Sequence, residues 1–470
     1  MSLEQAGTDG LAMADLAERS RCVVWHPCTQ MQLLSHVPVL PIAAAQGPWL
    51  IDLSGGRWFD GISSWWTCLL GHRQPEVVAA LHAQLDTLDH VMLAGFTHEP
   101  AVLLAERLAG LTRGALPHVS FASDGSSALE IALKQSAHAW VRRGAAGKQR
   151  FVCLAESYHG ETLGALGVTH QPAFTQSYHA LLRDAIVVSG PDSSRAALAG
   201  VSAEQEADAA AARLAQVLAR HADEVAALVL EPLLQGAGGM RMYHPRFLRH
   251  VRELCDRYEV LWIADEIATG CGRTGTFFAV EQAGVWPDLL CLSKGLSGGM
   301  LPLSVTLSSA ALFKVFLGDS MSDAFLHSHS FSGNPLACRA AVATLDVLAG
   351  QQVLQGNLGR AALISAGLAS LAGVPDVQGL RQLGMVWAFE LRGGAGQARA
   401  VQAAARTMGL LIRPLGDTVY LMPPFLLTDD ECRWLGQTLA AAVLQVVGAG
   451  AVTLSQPAAD AQGEEGARIA

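Results

Sequence analysis

Lysine is scarce in this chain. Lys134, Lys148, Lys294 and Lys314 are the only four in 470 residues, and arginine carries nearly all of the basic charge. The net charge is −10. That argues against the broad basic face that nucleic acid requires, although an acidic enzyme can still hold a phosphate locally. No apolar run approaches the ~18 uninterrupted residues of a bilayer-crossing helix. No basic residue precedes Arg19, whereas Glu4, Asp9, Asp15 and Glu18 all lie before it, so a secretory signal is not expected. The nine cysteines contain no C-x-x-C pair. Reduced thiols in the cytoplasm are expected, with neither a disulfide frame nor a zinc site. There is also no internal repeat. What remains is a globular balance of 51% apolar and 16% charged residues, in a length that suits two or three domains.

The apolar pattern supplies the organisation. Residues 1–20 are helical in composition. Gly47 to Gly61 reads as a hairpin around Ser54-Gly-Gly. From about 63 to 345, short apolar runs alternate with helical stretches, which predicts an α/β fold with a mostly parallel sheet. Strands are expected at 119–122, 151–154, 227–230, 261–264, 289–292 and 303–307. Beyond 346, Ala/Leu-rich helices and a few strands suggest a smaller domain, residues 346–450, to which residues 1–62 also contribute. Its last helix should begin at Thr428, with Glu431 completing a capping box. Residues 451–470 lose periodicity and read as a mobile tail.

Ligands of open α/β sheets bind at the carboxyl ends of the strands. There the chain has Ser123-Asp-Gly-Ser-Ser127, Glu156-Ser-Tyr-His-Gly160, Glu231-Pro232, Asp265-Glu266 and Ser293-Lys-Gly295. Asp124–Ser127 enters a helix, with Ser127 and Glu130 spaced as a capping box. A helix N-terminus favours phosphate, Gly125 permits close backbone approach and Ser126 adds a hydroxyl. The same residues also make an ordinary capped helix. Asp265 ends a fully apolar strand, where an ionised carboxylate needs a partner. A pyridinium nitrogen would serve, as would the next loop. Lys294 is the one lysine at a strand's carboxyl end, one strand after Asp265. In an apolar pocket its amine would have a depressed pKa and could form a Schiff base. Tyr158 could stack on a ring or fill the core. Gly270-Cys-Gly-Arg-Thr-Gly275 matches a dinucleotide fingerprint, but the turn comes late after the strand and no long helix follows. A nicotinamide dehydrogenase is therefore the weaker alternative.

Together these motifs resemble the fold-type-I, class III aminotransferases, from about His26 to Leu444. Ile263-Ala-Asp-Glu-Ile267, Gly272-Arg-Thr-Gly275, Ser293-Lys-Gly295 and Gly333-Asn-Pro335 carry the resemblance. It implies pyridoxal 5'-phosphate as cofactor, no metal, and a homodimer with active sites at the subunit interface. A narrower resemblance is to the diaminopelargonate aminotransferase family of biotin biosynthesis. It rests on Trp25-His-Pro-Cys-Thr-Gln30, Ser63-Ser-Trp-Trp66, His90-Val-Met92 with Thr97-His98, Gln235 to Pro245, and Ile412-Arg-Pro414 with Tyr420 to Pro424. That family aminates 8-amino-7-oxononanoate to 7,8-diaminononanoate by a ping-pong route.

By that resemblance Lys294 is the Schiff-base lysine, Asp265 binds the ring nitrogen and Tyr158 stacks on the ring. Gly125 and Ser126 hold the phosphate, and His329 and Ser330 reach the phosphate of the neighbouring subunit. Trp65, Trp66, Tyr158, Ser328, Tyr420 and Cys28 would contact substrate, and Arg413 would bind its carboxylate. Some members have a tyrosine where Cys28 stands and Gly-Pro-Thr where this chain has Ser328-His-Ser330. Cys28 leaves the donor open between S-adenosylmethionine, usual in the family, and lysine, used by some members. The other alternative is a class III aminotransferase for an ω-amino acid, ornithine or 4-aminobutyrate.

Overall fold

The computed structural model describes the backbone of residues 3–35 and 39–448, with side chains from residue 13. The expected tail at 451–470 lies outside the described residues. At the centre is a seven-stranded sheet in the order His118–Ala122, Ser304–Ser308, Leu289–Leu292, Leu261–Asp265, Val225–Leu230, Arg150–Leu154, Ile186–Val188. Only the Ser304–Ser308 strand runs antiparallel to its neighbours. The three middle strands, from Leu289, Leu261 and Val225, are buried along their whole length. Helices on both faces demand the continuous apolar runs seen in the sequence. All six expected strands are present. The three-residue edge strand Ile186–Val188 was not expected, because so short a run carries no periodic signal.

The hairpin forms as read, with Trp49–Asp52 antiparallel to Arg57–Asp60. Asp52 organises its turn by accepting from Ser54 N, Gly56 N and Trp58 Nε1. A strand from the other end of the chain, Leu410–Leu411, pairs in parallel with Arg57–Asp60. Trp49 reinforces this junction: it packs on Phe59 and Trp434 and donates Nε1 to Glu431 at 2.8 Å. The last helix, Asp429–Val446, starts at the Thr428–Glu431 capping box as expected.

The expected cap of the Gly125–Arg142 helix requires correction. Asp124 caps it, accepting from Ser127 N at 2.9 Å, so the helix begins before Ser127. An ionised carboxylate at the N-cap outcompetes a serine further in. Glu130, freed from that role, instead accepts from Gly164 N and Ala165 N.

The Val353–Leu368 and Asp429–Val446 helices cross with their glycines in contact. A Cβ at Gly436 would lie 2.4 Å from Ile364 O and 3.0 Å from Gly367 Cα. Alanine normally stabilises a helix interior by about 1 kcal/mol over glycine. Here Gly436→Ala should instead destabilise, by about 1–3 kcal/mol as for other overpacked sites. The expected reading is a lower urea midpoint at unchanged slope; a raised midpoint would show that the helices separate freely.

Candidate active site

The carboxyl ends of the parallel strands open into a cavity of about 610 Å³. Its lining includes Ser123–Ser126, Tyr158–Glu161, Glu231, Asp265, Ser293 and Lys294, so every strand-end segment picked out in the sequence reaches it. The antiparallel Ser304–Ser308 strand acts as a brace. Ser304 Oγ donates to Asp124 O at 2.6 Å and Thr306 Oγ1 to Ala128 O at 2.7 Å, tying the phosphate-candidate turn to the sheet.

Lys294 occupies the left-handed region, with φ +46°, at the start of the 3-10 turn Lys294–Ser297. Its Nζ lies 4.2 Å from the centroid of the Trp66 ring. Among the described residues no carboxylate lies within ion-pair distance of it. Burial pulls its pKa down to about 8, against the opposing pull of Asp265 and Glu231. Of the other lysines, Lys134 contacts His327, and Lys148 donates to Glu259 O over the Trp140 ring.

Asp265 is buried at the end of its strand. Oδ1 accepts from Ile267 N at 3.1 Å, and Oδ2 lies 2.7 Å from His159 Nδ1. The partner that the sequence argument demanded is thus partly supplied from within the chain. His159 is itself buried, and its Nε2 has no partner. Glu231 lies buried beside them and accepts from Tyr158 N and Gly236 N. Burial pushes its pKa up to about 7. Tyr158 packs edge-on against Phe174 and donates its hydroxyl to Glu161 at 2.9 Å. Burial, then Glu161, raises its pKa.

One wall of the cavity is strained. Ser63, Ser64, Trp65 and Trp66 all have positive φ, from 44° to 74°. A left-handed turn of non-glycine residues costs about 1–2 kcal/mol per residue. Ser63 Oγ to Met422 O (2.7 Å), Ser64 Oγ to Asp60 Oδ2 (2.7 Å) and Trp66 Nε1 to Tyr420 OH (3.1 Å) hold it. The turn sends Trp66 to the cavity and leaves Trp65 exposed. Arg413 lies over Trp65 at 4.9 Å and donates Nη2 to Cys28 O at 3.1 Å. Trp65, Arg413 and Cys28 therefore form a group of their own beside the turn. Tyr420 is buried behind Trp66 and supports it. Ser328 and Ser330 are exposed, and the His329 ring lies 4.9 Å from that of His327; all three are outside the cavity lining of this single chain.

The aminotransferase class-III family profile matches residues 32–443. The chain belongs to the class III aminotransferases. An adenosylmethionine-8-amino-7-oxononanoate aminotransferase of Helicobacter pylori is 40% identical over 87% of this chain and 93% of its own length. That of Geobacter sulfurreducens is 36% identical over 92% and 98%. The crystal structure of the Methanocaldococcus jannaschii enzyme of that name matches with a TM-score of 0.86 at 31% identity, covering 92% of this chain and 99% of that one. A PLP-bound amine transaminase from an uncultivated Pseudomonas species matches equally well, with a TM-score of 0.86 and 32% identity over 90% and 99%.

Class III aminotransferases depend on pyridoxal phosphate, and the cavity suits that group. An amine with lowered pKa, a buried carboxylate and a helix N-terminus open on one space. The first amides of the Gly125–Arg142 helix have no intrahelical acceptor. Side chains are excluded where a phosphate would approach: a Cβ at Gly125 would meet Ile267 at 2.9 Å, and one at Gly160 would lie 2.4 Å from Ser126 Cβ. The dinucleotide-like Gly270–Gly275 stretch leads to the short 3-10 turn Ala279–Ala283, with no helix to receive a pyrophosphate.

Glu231 and His159 stand at strand ends in the sequence without an evident role, and Glu161 and Ile267 join the lining without having been expected there. The signal for Glu231 was its strand-end position. For Ile267 it was adjacency to Asp265.

An amine attacks an aldehyde only when unprotonated, so attachment of pyridoxal phosphate to the cofactor-free protein should accelerate as pH rises and level off above about 8, where burial has placed the Lys294 pKa. Stopped-flow absorbance measures this. A rate still climbing steeply at the pKa of a free lysine, about 10.4, would contradict the desolvated environment.

Proposed function

We propose that this chain transfers an amino group to the ketone of 8-amino-7-oxononanoate, giving 7,8-diaminononanoate in biotin biosynthesis, with S-adenosylmethionine as donor. The observation that carries the reading is the Trp65–Arg413–Cys28 group beside a cavity floored by Lys294 and Asp265. It offers apolar surface for a long alkyl chain and a guanidinium for its terminal carboxylate. The Helicobacter pylori and Geobacter sulfurreducens relatives are named for the same substrate and donor.

Lys294 holds the cofactor through its amine. When bound, pyridoxal phosphate supplies a carbonyl carbon for the incoming amine and a ring that withdraws electrons. The Lys294 amine would move the proton on the donor's amine-bearing carbon as general base and then general acid. Its lowered pKa suits both roles near neutral pH. Asp265, oriented by His159 and Ile267 N, keeps a proton on the ring nitrogen. Tyr158 covers one ring face, and Gly125 with Ser126 holds the phosphate. Trp66 walls the cavity over the Lys294 amine and limits water there.

A homodimer completes the site in this reading, with His329 and Ser330 reaching the phosphate of a second copy and Ser328 its substrate. Exposed apolar side chains on and near that segment, Leu326, Phe331, Phe96 and Met92, favour a covered surface. The domain limits proposed are residues 1–62 with 346–450, and 63–345. Among the described residues no helix is long and apolar enough to cross a membrane. The cytoplasm is the proposed location.

Half-reactions test the proposal. S-adenosylmethionine should convert the cofactor-loaded protein to its amine form, and 8-amino-7-oxononanoate should restore it, both followed by absorbance. Arg413→Ala should raise the KM for 8-amino-7-oxononanoate by roughly tenfold or more, the worth of a charge-assisted hydrogen bond. Conversion by lysine alone would overturn the donor. An unchanged KM would favour an ω-amino acid, ornithine or 4-aminobutyrate aminotransferase.

A further inference from the structure

Behind the left-handed turn lies a second cluster of reactive side chains that amino-group transfer does not use. Cys68 Sγ is 3.5 Å from His72 Nδ1, and His72 Nε2 is 3.0 Å from Asp60 Oδ2. A thiol, an imidazole and a carboxylate in a row make a nucleophile, the group that governs its proton and the group that orients that group. Burial opposes charge on His72, but its hydrogen bonds to Asp60 and Cys68 more than offset this and raise its pKa to about 10. His72 is therefore an imidazolium at neutral pH.

Arg273 faces the same cluster from the loop after the Asp265 strand. It is 1% exposed, donates Nη1 to Pro423 O at 2.5 Å, lies over the Phe425 ring, and leaves Nη2 without a partner. Among the described residues no carboxylate lies within ion-pair distance of it. The groups whose charge acts on it are Cys271, Asp60 and Cys68. Two buried cations, His72 and Arg273, thus share one facing carboxylate, Asp60. Buried charge without compensation is costly, so Cys68, His72, Asp60 and Arg273 form one coupled cluster. Cys271 differs, because burial and the nearby Glu266 push its thiol up to about 12.

We propose that Cys68, in line with His72 and Asp60, is a reactive nucleophile and a modification site for hydrogen peroxide. Cys68 is 7% exposed, whereas the other six buried cysteines are at 3% or less. Its neighbour Thr67 lines the main cavity, and Thr67 Oγ1 lies 3.9 Å from Cys68 Sγ. The Cys68 sulfur attacks one peroxide oxygen. The S–O bond forms, the O–O bond breaks, sulfur is oxidised by two electrons, and the leaving hydroxide takes the proton held between Cys68 and His72 to become water. One small thiol then condenses with the sulfenic acid, releasing water and leaving a mixed disulfide, and a second displaces the Cys68 thiol to give the small disulfide. The added oxygen has consequences for the active site. A Cβ at Gly299, in the loop after Lys294, would lie 2.7 Å from Cys68 Cα, so these backbones are already in contact.

The full-length, cofactor-loaded protein is exposed to a few equivalents of hydrogen peroxide, quenched with catalase, denatured in dimedone and mapped by peptide mass. Cys68 should carry the adduct about tenfold ahead of the exposed Cys22 and Cys28, which have no histidine partner of this kind among the described residues. Aminotransfer should fall in step and return with dithiothreitol. Cys68→Ala should keep its basal activity and resist peroxide, and His72→Gln should slow the labelling of Cys68 while leaving Cys22 and Cys28 unchanged. Labelling of Cys22 and Cys28 with Cys68 intact would overturn the proposal, as would inactivation of Cys68→Ala at the unaltered rate.

Discussion

A primary amine held inside protein, with no carboxylate within ion-pair distance among the described residues, is the constraint on which the site depends. Removing Lys294 from water lowers its pKa to about 8, so a useful fraction is nucleophilic near neutral pH. An ion pair at Nζ would cancel that effect. Asp265 is therefore kept close enough to be felt but engaged elsewhere, by His159 Nδ1 and Ile267 N. The face of Trp66 lies 4.2 Å from the amine, and a ring quadrupole attracts an ammonium far less than a carboxylate does. Four separate parts of the chain, 63–66, 158–161, 265–267 and 293–297, meet to produce this one electrostatic condition.

Geometry is bought with strain at the tryptophan turn. Four consecutive residues with positive φ set Trp65 and Trp66 in different directions, one beside Arg413 and one above Lys294. Hydrogen bonds to Met422, Asp60 and Tyr420 tie this turn to the carboxyl-terminal part of the chain and to the hairpin. The parallel pairing of Leu410–Leu411 with Arg57–Asp60 brings those distant segments within reach. Strain of this kind persists only where the surroundings over-determine it.

The frame of the fold was legible because the central strands are buried on both faces and read as uninterrupted apolar runs. Their positions led directly to Lys294 and Asp265. The hairpin and the Thr428 cap were legible for local reasons, a Gly-Gly turn and a Thr-x-x-Glu spacing. Long-range pairings were not. Nothing near Asp265 announces that His159, more than a hundred residues earlier, will engage its carboxylate. Propensity argues against four successive left-handed non-glycine residues, so the turn at Ser63–Trp66 was invisible. The cap at Asp124 was misassigned to Ser127 because both spacings satisfy a capping rule, and only the path of the backbone chooses between them. Arg413 was named by resemblance, but its seat between Trp65 and Cys28 depends on tertiary contacts.

The most direct test of the central claim is to reduce the pyridoxal-phosphate-loaded protein with borohydride, digest it and locate the cofactor by mass. A stoichiometric pyridoxyl group on the peptide carrying Lys294, and its absence in Lys294→Ala, is the result this account predicts. A label on Lys134, Lys148 or Lys314, or a Lys294→Ala variant that still fixes the cofactor and turns over, would contradict it.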